Sequence, residues 1–138
     1  MNALCAYVEL ARVSDGLVHE FSLPFDFRIG AGLNTGVGSI GNTGGAALTD
    51  FTALGETVNA AFRFETATKE LGVDVAIGQN TWLSLTQNHQ PKALFQHHLV
   101  QLKGYDSPTN VWGATLGGAH SLVSELMAAA EDFNQTRS

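Results

Sequence analysis

Residues 25–33 read FDFRIGAGL, and the period of this stretch decides the fold class. Phe25, Phe27, Ile29, Ala31 and Leu33 fall on one face at a spacing of two, while Asp26, Arg28, Gly30 and Gly32 fall on the other. Such alternation predicts a half-buried strand, here with an opposite face nearly bare of side chains.

Outward from that strand the period changes repeatedly. Upstream, residues 3–13 (ALCAYVELARV) carry Leu4, Val8 and Ala11 at helical spacing, and Asp15-Gly16 offers a stop. Downstream, residues 34–47 (NTGVGSIGNTGGAA) are glycine-rich turn chemistry around a short strand. Residues 55–71 predict a helix closed by Gly72, with Glu65 and Lys69 four apart. Residues 73–77 (VDVAI) suit a strand and 79–86 a short helix. Residues 94–102 and 109–115 suit two strands linked by the tight turn KGYDSP. Residues 119–133 form a last amphipathic helix striped by Leu122, Leu126, Ala129 and Phe133. Helices and strands interleave without repeats or linkers, which predicts an α+β or α/β domain.

A chain of 138 residues, 44% hydrophobic and 14% charged, makes one globular domain. No apolar run approaches the ~20 residues of a membrane span. Cys5 stands alone, so a disulfide framework is excluded and a reducing cytoplasm is the expected setting. The net charge of −6, with seven scattered Lys and Arg, argues against nucleic acid. A small anionic ligand needs only one or two fixed cations and remains compatible.

Two signals mislead. Gly36, Gly38 and Gly41 match G-x-G-x-x-G, with Glu56 twenty residues beyond the first. The dinucleotide fingerprint requires its third glycine to open a helix, and Asn42-Thr43-Gly44-Gly45 follows instead. The five histidines do not make a metal site, because His97 and His98 alternate across a strand and His19, His89 and His120 lack ligands at chelating spacing. Ser121 and Ser124 have no nucleophile-elbow pattern around them.

The chemistry-bearing candidate is residues 50–63, DFTALGETVNAAFR. If Gly55 turns the chain into a helix, Asn59 and Arg63 share a face, with Glu56 one turn earlier. An asparagine and an arginine so placed suit a sugar and a phosphoryl group, because the planar guanidinium pairs two oxygens and stays charged. From physics alone, a polar stripe on an amphipathic helix reads first as a solvated face.

The run FRIGAGLNTG, GSIGNTGG, DFTALGETVNAAFRFE, KELG and VQLKGYDSPTNVW resembles, block after block, class III adenylate/guanylate cyclase catalytic domains. Their corresponding blocks read approximately RIGIHTG, V-x-G-N-x-G, DYT-x-x-GD-x-VN-x-A-x-R and LKG-x-x-x-P-x-x-V-Y. The resemblance implies a ferredoxin-like α+β fold with helices on one side of the sheet. It assigns residues 1–115 to the C-terminal portion of that domain and 116–138 to an added helix and tail. By the same resemblance Asn59 orients the ribose and Arg63 stabilises charge on the phosphates. Thr52 takes the position that separates adenine from guanine, and a threonine there goes with ATP. Glu56 replaces an aspartate that is not a metal ligand.

The implied reaction is attack of the ribose 3′-hydroxyl on the α-phosphate, giving cyclic AMP and pyrophosphate with Mg²⁺ or Mn²⁺. The family's two metal-binding aspartates and its adenine-reading lysine lie upstream of the first matching block. The expected metal-ligand set of this chain is therefore none. Asp15-Gly16 is too near Arg28 to be the second metal motif, and residues 3–21 fit the family's intervening helix better. Absence of the first strands implies an open sheet edge, covered by a homodimer, by a complementary cyclase half or by the C-terminal helix. The isolated chain is expected to be inactive; the alternatives are a non-catalytic interaction module that kept the scaffold and a half-site donor acting in trans.

Overall fold

β4 decides the layering, because Val75, Ala76 and Ile77 are fully buried and point alternately to opposite faces of the sheet. The computed structural model describes residues 1–25, 27–42, 51–92 and 94–135, with only the backbone of Phe51, Phe133 and Asn134. In chain order the elements are α1 (Asn2–Glu20), β1 (Ala31–Leu33), β2 (Ser39–Asn42), β3 (Phe51–Leu54) and α2 (Glu56–Leu71). There follow β4 (Val75–Gly78), α3 (Gln79–Thr86), β5 (Gln96–Val100), β6 (Thr109–Ala114) and α4 (Leu116–Gln135). The expectations for Asp26, for residues 43–47 and for the Phe133 side chain lie outside the described residues.

The main sheet has the order β1-β4-β6-β5, with β1 parallel to β4 and the other pairings antiparallel. β2 and β3 pair separately and antiparallel. Val75 and Ile77 pack with Leu4, Val8 and Leu122 from α1 and α4, whereas Ala76 packs with Phe64 of α2 and Val111 of β6. The α+β reading stands, but helices cover both faces of the sheet rather than one. A strand apolar on both sides requires a cover on each.

β1 is shorter than the alternation over 25–33 predicts. Its partner begins only at Val75, opposite Ala31, because α2 ends just before at Gly72 in the left-handed conformation (φ 67°). Ile29, Ala31 and Leu33 still pack on the core, while Phe25 and Phe27 are exposed. The nearly bare face of this segment has a clear use. A Cβ on Gly32 would stand 2.0 Å from the Ala61 carbonyl oxygen, so α2 lies directly on the strand backbone.

α1 continues through Asp15-Gly16 to Glu20 instead of stopping there. A mid-helix glycine costs only about 1 kcal/mol, and tertiary packing outweighs it. The buried Ser14 donates to the Phe27 carbonyl at 2.9 Å, and the Tyr7 hydroxyl lies within reach of the Ile29 (3.3 Å) and Asp74 (3.2 Å) carbonyls. Beside these residues an apolar stripe of Leu10, Val13 and Leu17, extended by Phe21, stays exposed. On a helical wheel that stripe lies on the flank of Tyr7 and Ser14. α4 packs against α1 and β6 and thus covers a face of the sheet. No described strand pairs with the outer edge of β1.

Asp74 knots four segments together. Its N–H donates to Ala114 and its carbonyl accepts from Ala31, each at 2.9 Å. One carboxylate oxygen pairs with Arg28, and the other accepts from the Leu116 N–H at 2.9 Å, at the positive end of α4. Elsewhere, Trp82 of α3 stacks on Trp112 of β6 with ring centroids 5.6 Å apart and planes 7° from parallel. Glu125 of α4 ties down the loop after α3 through His89 (3.0 Å) and the Lys92 N–H (2.8 Å). Glu65 and Lys69 form no ion pair among the described residues. No described helix is long and apolar enough to cross a membrane.

Candidate active site

The helix that carries the candidate residues begins where the sequence says it should. Gly55 precedes α2 at φ 131°, a conformation that side chains disfavour, and its carbonyl accepts from Val58 (3.1 Å) and Asn59 (3.0 Å). Ala60, Phe64, Ala67 and Thr68 are buried on the sheet side. Asn59 is exposed and Arg63 half-buried on the outer side, one turn apart. Thr52 lies half-buried in β3, paired with Gly41 of β2, on the segment that feeds α2. Gly41 is therefore a strand residue, which removes the dinucleotide fingerprint.

The structure places Asn59 and Arg63 on a common face, as the spacing predicts. No hydrogen bond joins either to Thr52 among the described residues, and the side chains of Thr52 and Asn59 are without partners there. Arg63 is engaged by a residue that the sequence reading treated only as part of a turn. Its guanidinium sits over the Tyr105 ring, 5.7 Å from the centroid. The Tyr105 hydroxyl in turn donates to the Glu56 carboxylate at 3.0 Å. Burial, then the Glu56 hydrogen bond, raise the Tyr105 phenol above its ordinary value. An aromatic in the loop after an L-K-G triplet was the visible signal, but nothing local says which helix it meets.

A cavity of about 430 Å³ lies beside the N-terminal half of α2, lined among others by Asn34, Glu56, Thr57, Asn80 and Tyr105. It opens at the carboxyl ends of the parallel strands β1 and β4, and no predicted site residue lines it. His97 and His98 face opposite sides of the sheet, His97 against Trp112 and His98 against Gly113. His89 has the carboxylate partner that sequence spacing could not reveal, 36 residues away in Glu125. Among the described residues no three His, Cys, Asp or Glu side chains come together as a metal site. Asp15 lies within α1, and the Asp74 carboxylate is taken by Arg28 and Leu116.

Comparison with known proteins gives a fold. No family model matches the sequence, and no curated protein does. Among solved structures, the adenylyl cyclase CyaB from P. aeruginosa superposes with a TM-score of 0.61 at 22% identity, over 77% of this chain and 53% of that one. A guanylyl cyclase gives 0.59 at 26% identity, over 77% and 52%. This is a nucleotide-cyclase fold. A bacterial light-regulated adenylyl cyclase matches with 0.58 at 20% identity, over 90% of this chain and 38% of the other. The chain thus spans about half the length of the first two cyclase-fold structures. In the cyclase fold as it stands here, α2 lies directly on the backbone of β1, and its outer face carries Asn59 and Arg63.

Proposed function

We propose that this chain supplies the sugar- and phosphate-handling half of an adenylate cyclase centre completed by a second chain. The observation that carries this reading is the outward pairing of Asn59 and Arg63 on a helix whose inner face is fixed to the sheet. Asn59 orients the ribose through its amide, and Arg63 meets the charge that grows on the phosphates as the 3′-hydroxyl attacks. Thr52 reads the adenine edge. Mg²⁺ or Mn²⁺ is held by the second chain, a complementary cyclase half.

The test is complementation in trans. The chain is mixed with a cyclase subunit that keeps its metal-binding aspartates but has lost the arginine equivalent to Arg63. Cyclic AMP should form in the mixture and not with either component alone. Arg63→Ala in this chain should lower the rate by about 100-fold or more. No cyclic AMP with Mg²⁺ or Mn²⁺ sinks the proposal.

A second reading is favoured by the exposed stripe of Leu10, Val13, Leu17 and Phe21, a docking surface in its own right. On that reading the chain is a non-catalytic interaction module. It then binds no ATP, and Arg63→Ala changes nothing.

A further inference from the structure

Arginine is useful at a phosphoryl-handling site only if its guanidinium is already aimed, because a free side chain spreads over many rotamers that binding must freeze. Arg63 is aimed by contact. Its guanidinium carbon lies 5.7 Å from the Tyr105 ring centroid, within the range in which a ring face attracts a cation. That contact uses no N–H donor, so the fork that grips oxygens stays available.

Tyr105 is itself held from three sides. Its hydroxyl donates to the Glu56 carboxylate at 3.0 Å, its carbonyl accepts from Gln101 Nε2 at 2.6 Å, and its N–H donates to the Leu102 carbonyl at 3.1 Å. Gly104, at φ 84°, makes the turn that presents the ring, a conformation costly for other residues. Glu56 and Arg63 lie seven residues apart on the same helix, so the ring spans two turns of α2 with Asn59 between them. We propose that Tyr105, through its ring face, is a positioning residue that pre-aims Arg63 at a nucleotide triphosphate. The inference rests on the proposed role of Arg63 and adds a residue to it.

The experiment is a double-mutant cycle on the full chain, with α,β-methylene-ATP as the probe and proton chemical shifts as a second readout. The Arg63 δ-methylene protons should be shifted upfield by the ring in the wild type and in Tyr105→Phe, and return to ordinary positions in Tyr105→Leu. Tyr105→Leu should weaken probe binding two- to fivefold, the range of an exposed cation–π contact, and add nothing when Arg63 is already alanine. Tyr105→Phe should stay within twofold of wild type. If Arg63→Ala weakens binding but Tyr105→Leu does not, or if Tyr105→Phe is as weak as Tyr105→Leu, the positioning role is overturned and the nucleotide reading stands. If Arg63→Ala itself has no effect, the nucleotide reading fails, and the role of Tyr105 falls with it.

Discussion

Tyr7 and Asp74 meet where α1 crosses the start of the sheet, and the chemistry of that contact makes stability depend on alkali. The Tyr7 phenol is pushed up to about 12 from 10.0, first by burial and then by the Asp74 carboxylate. In the folded chain the neutral hydroxyl lies against the Ile29 and Asp74 carbonyl oxygens, and a phenolate there would face acceptors only. With the folded value above the unfolded one, the contribution is complete below pH 10 and disappears as pH rises toward 12. Denaturant titrations should show stability falling by on the order of 2 kcal/mol over that window. Tyr7→Phe should lose about 1 kcal/mol at neutral pH and flatten that part of the alkaline decline. An unchanged alkaline slope in Tyr7→Phe would show that other groups are responsible.

At the scale of elements, two glycines should respond to the same substitution in opposite ways. Gly32→Ala drives a methyl group into the Ala61 and Glu65 backbone of α2, where nothing flexible can yield. It should cost about 3 kcal/mol or prevent folding. Gly16→Ala, inside α1 with no atom within 4 Å of its added Cβ, should stabilise by about 0.5–1 kcal/mol. Thermal melts of the two variants check both signs. The elements that the sequence announced were those defined by neighbours in the chain. Gly55 and Gly72 bracket α2, Gln79–Thr86 is the expected short helix, and the four-residue spacing of Asn59 and Arg63 does put them on one face. What escaped are contacts between distant segments. Tyr7 reaches Asp74 across 67 residues and Tyr105 reaches Glu56 across 49. No periodicity encodes a partner at that separation. The shortening of β1 belongs here too, since a strand extends only as far as its neighbour does.

For the molecule as a whole, the exposed flank of α1 presents a stripe of apolar side chains, and no described strand pairs with the outer side of β1. Leu10, Val13 and Leu17 are 55%, 58% and 41% exposed, more than scattered surface residues explain. Without a cover, such an edge associates with copies of itself. Sedimentation velocity on the isolated chain should therefore show concentration-dependent association. Val13→Glu combined with Leu17→Lys should suppress it while leaving the melting temperature nearly unchanged, since neither side chain is in the core. A monodisperse monomer across the whole concentration range would count against this.

The stacked indoles have a practical consequence. Trp82 and Trp112 are the two tryptophans of the chain, and both sit where α3 docks on β6. Intrinsic emission therefore reports on one corner of the protein, and their near-parallel packing should give a strong coupled signal in near-ultraviolet circular dichroism. A partner that settles along α1 would leave this optical signature untouched. Its disappearance during heating would time the release of α3 and stay silent about the α1–α4 pair on the same face of the sheet.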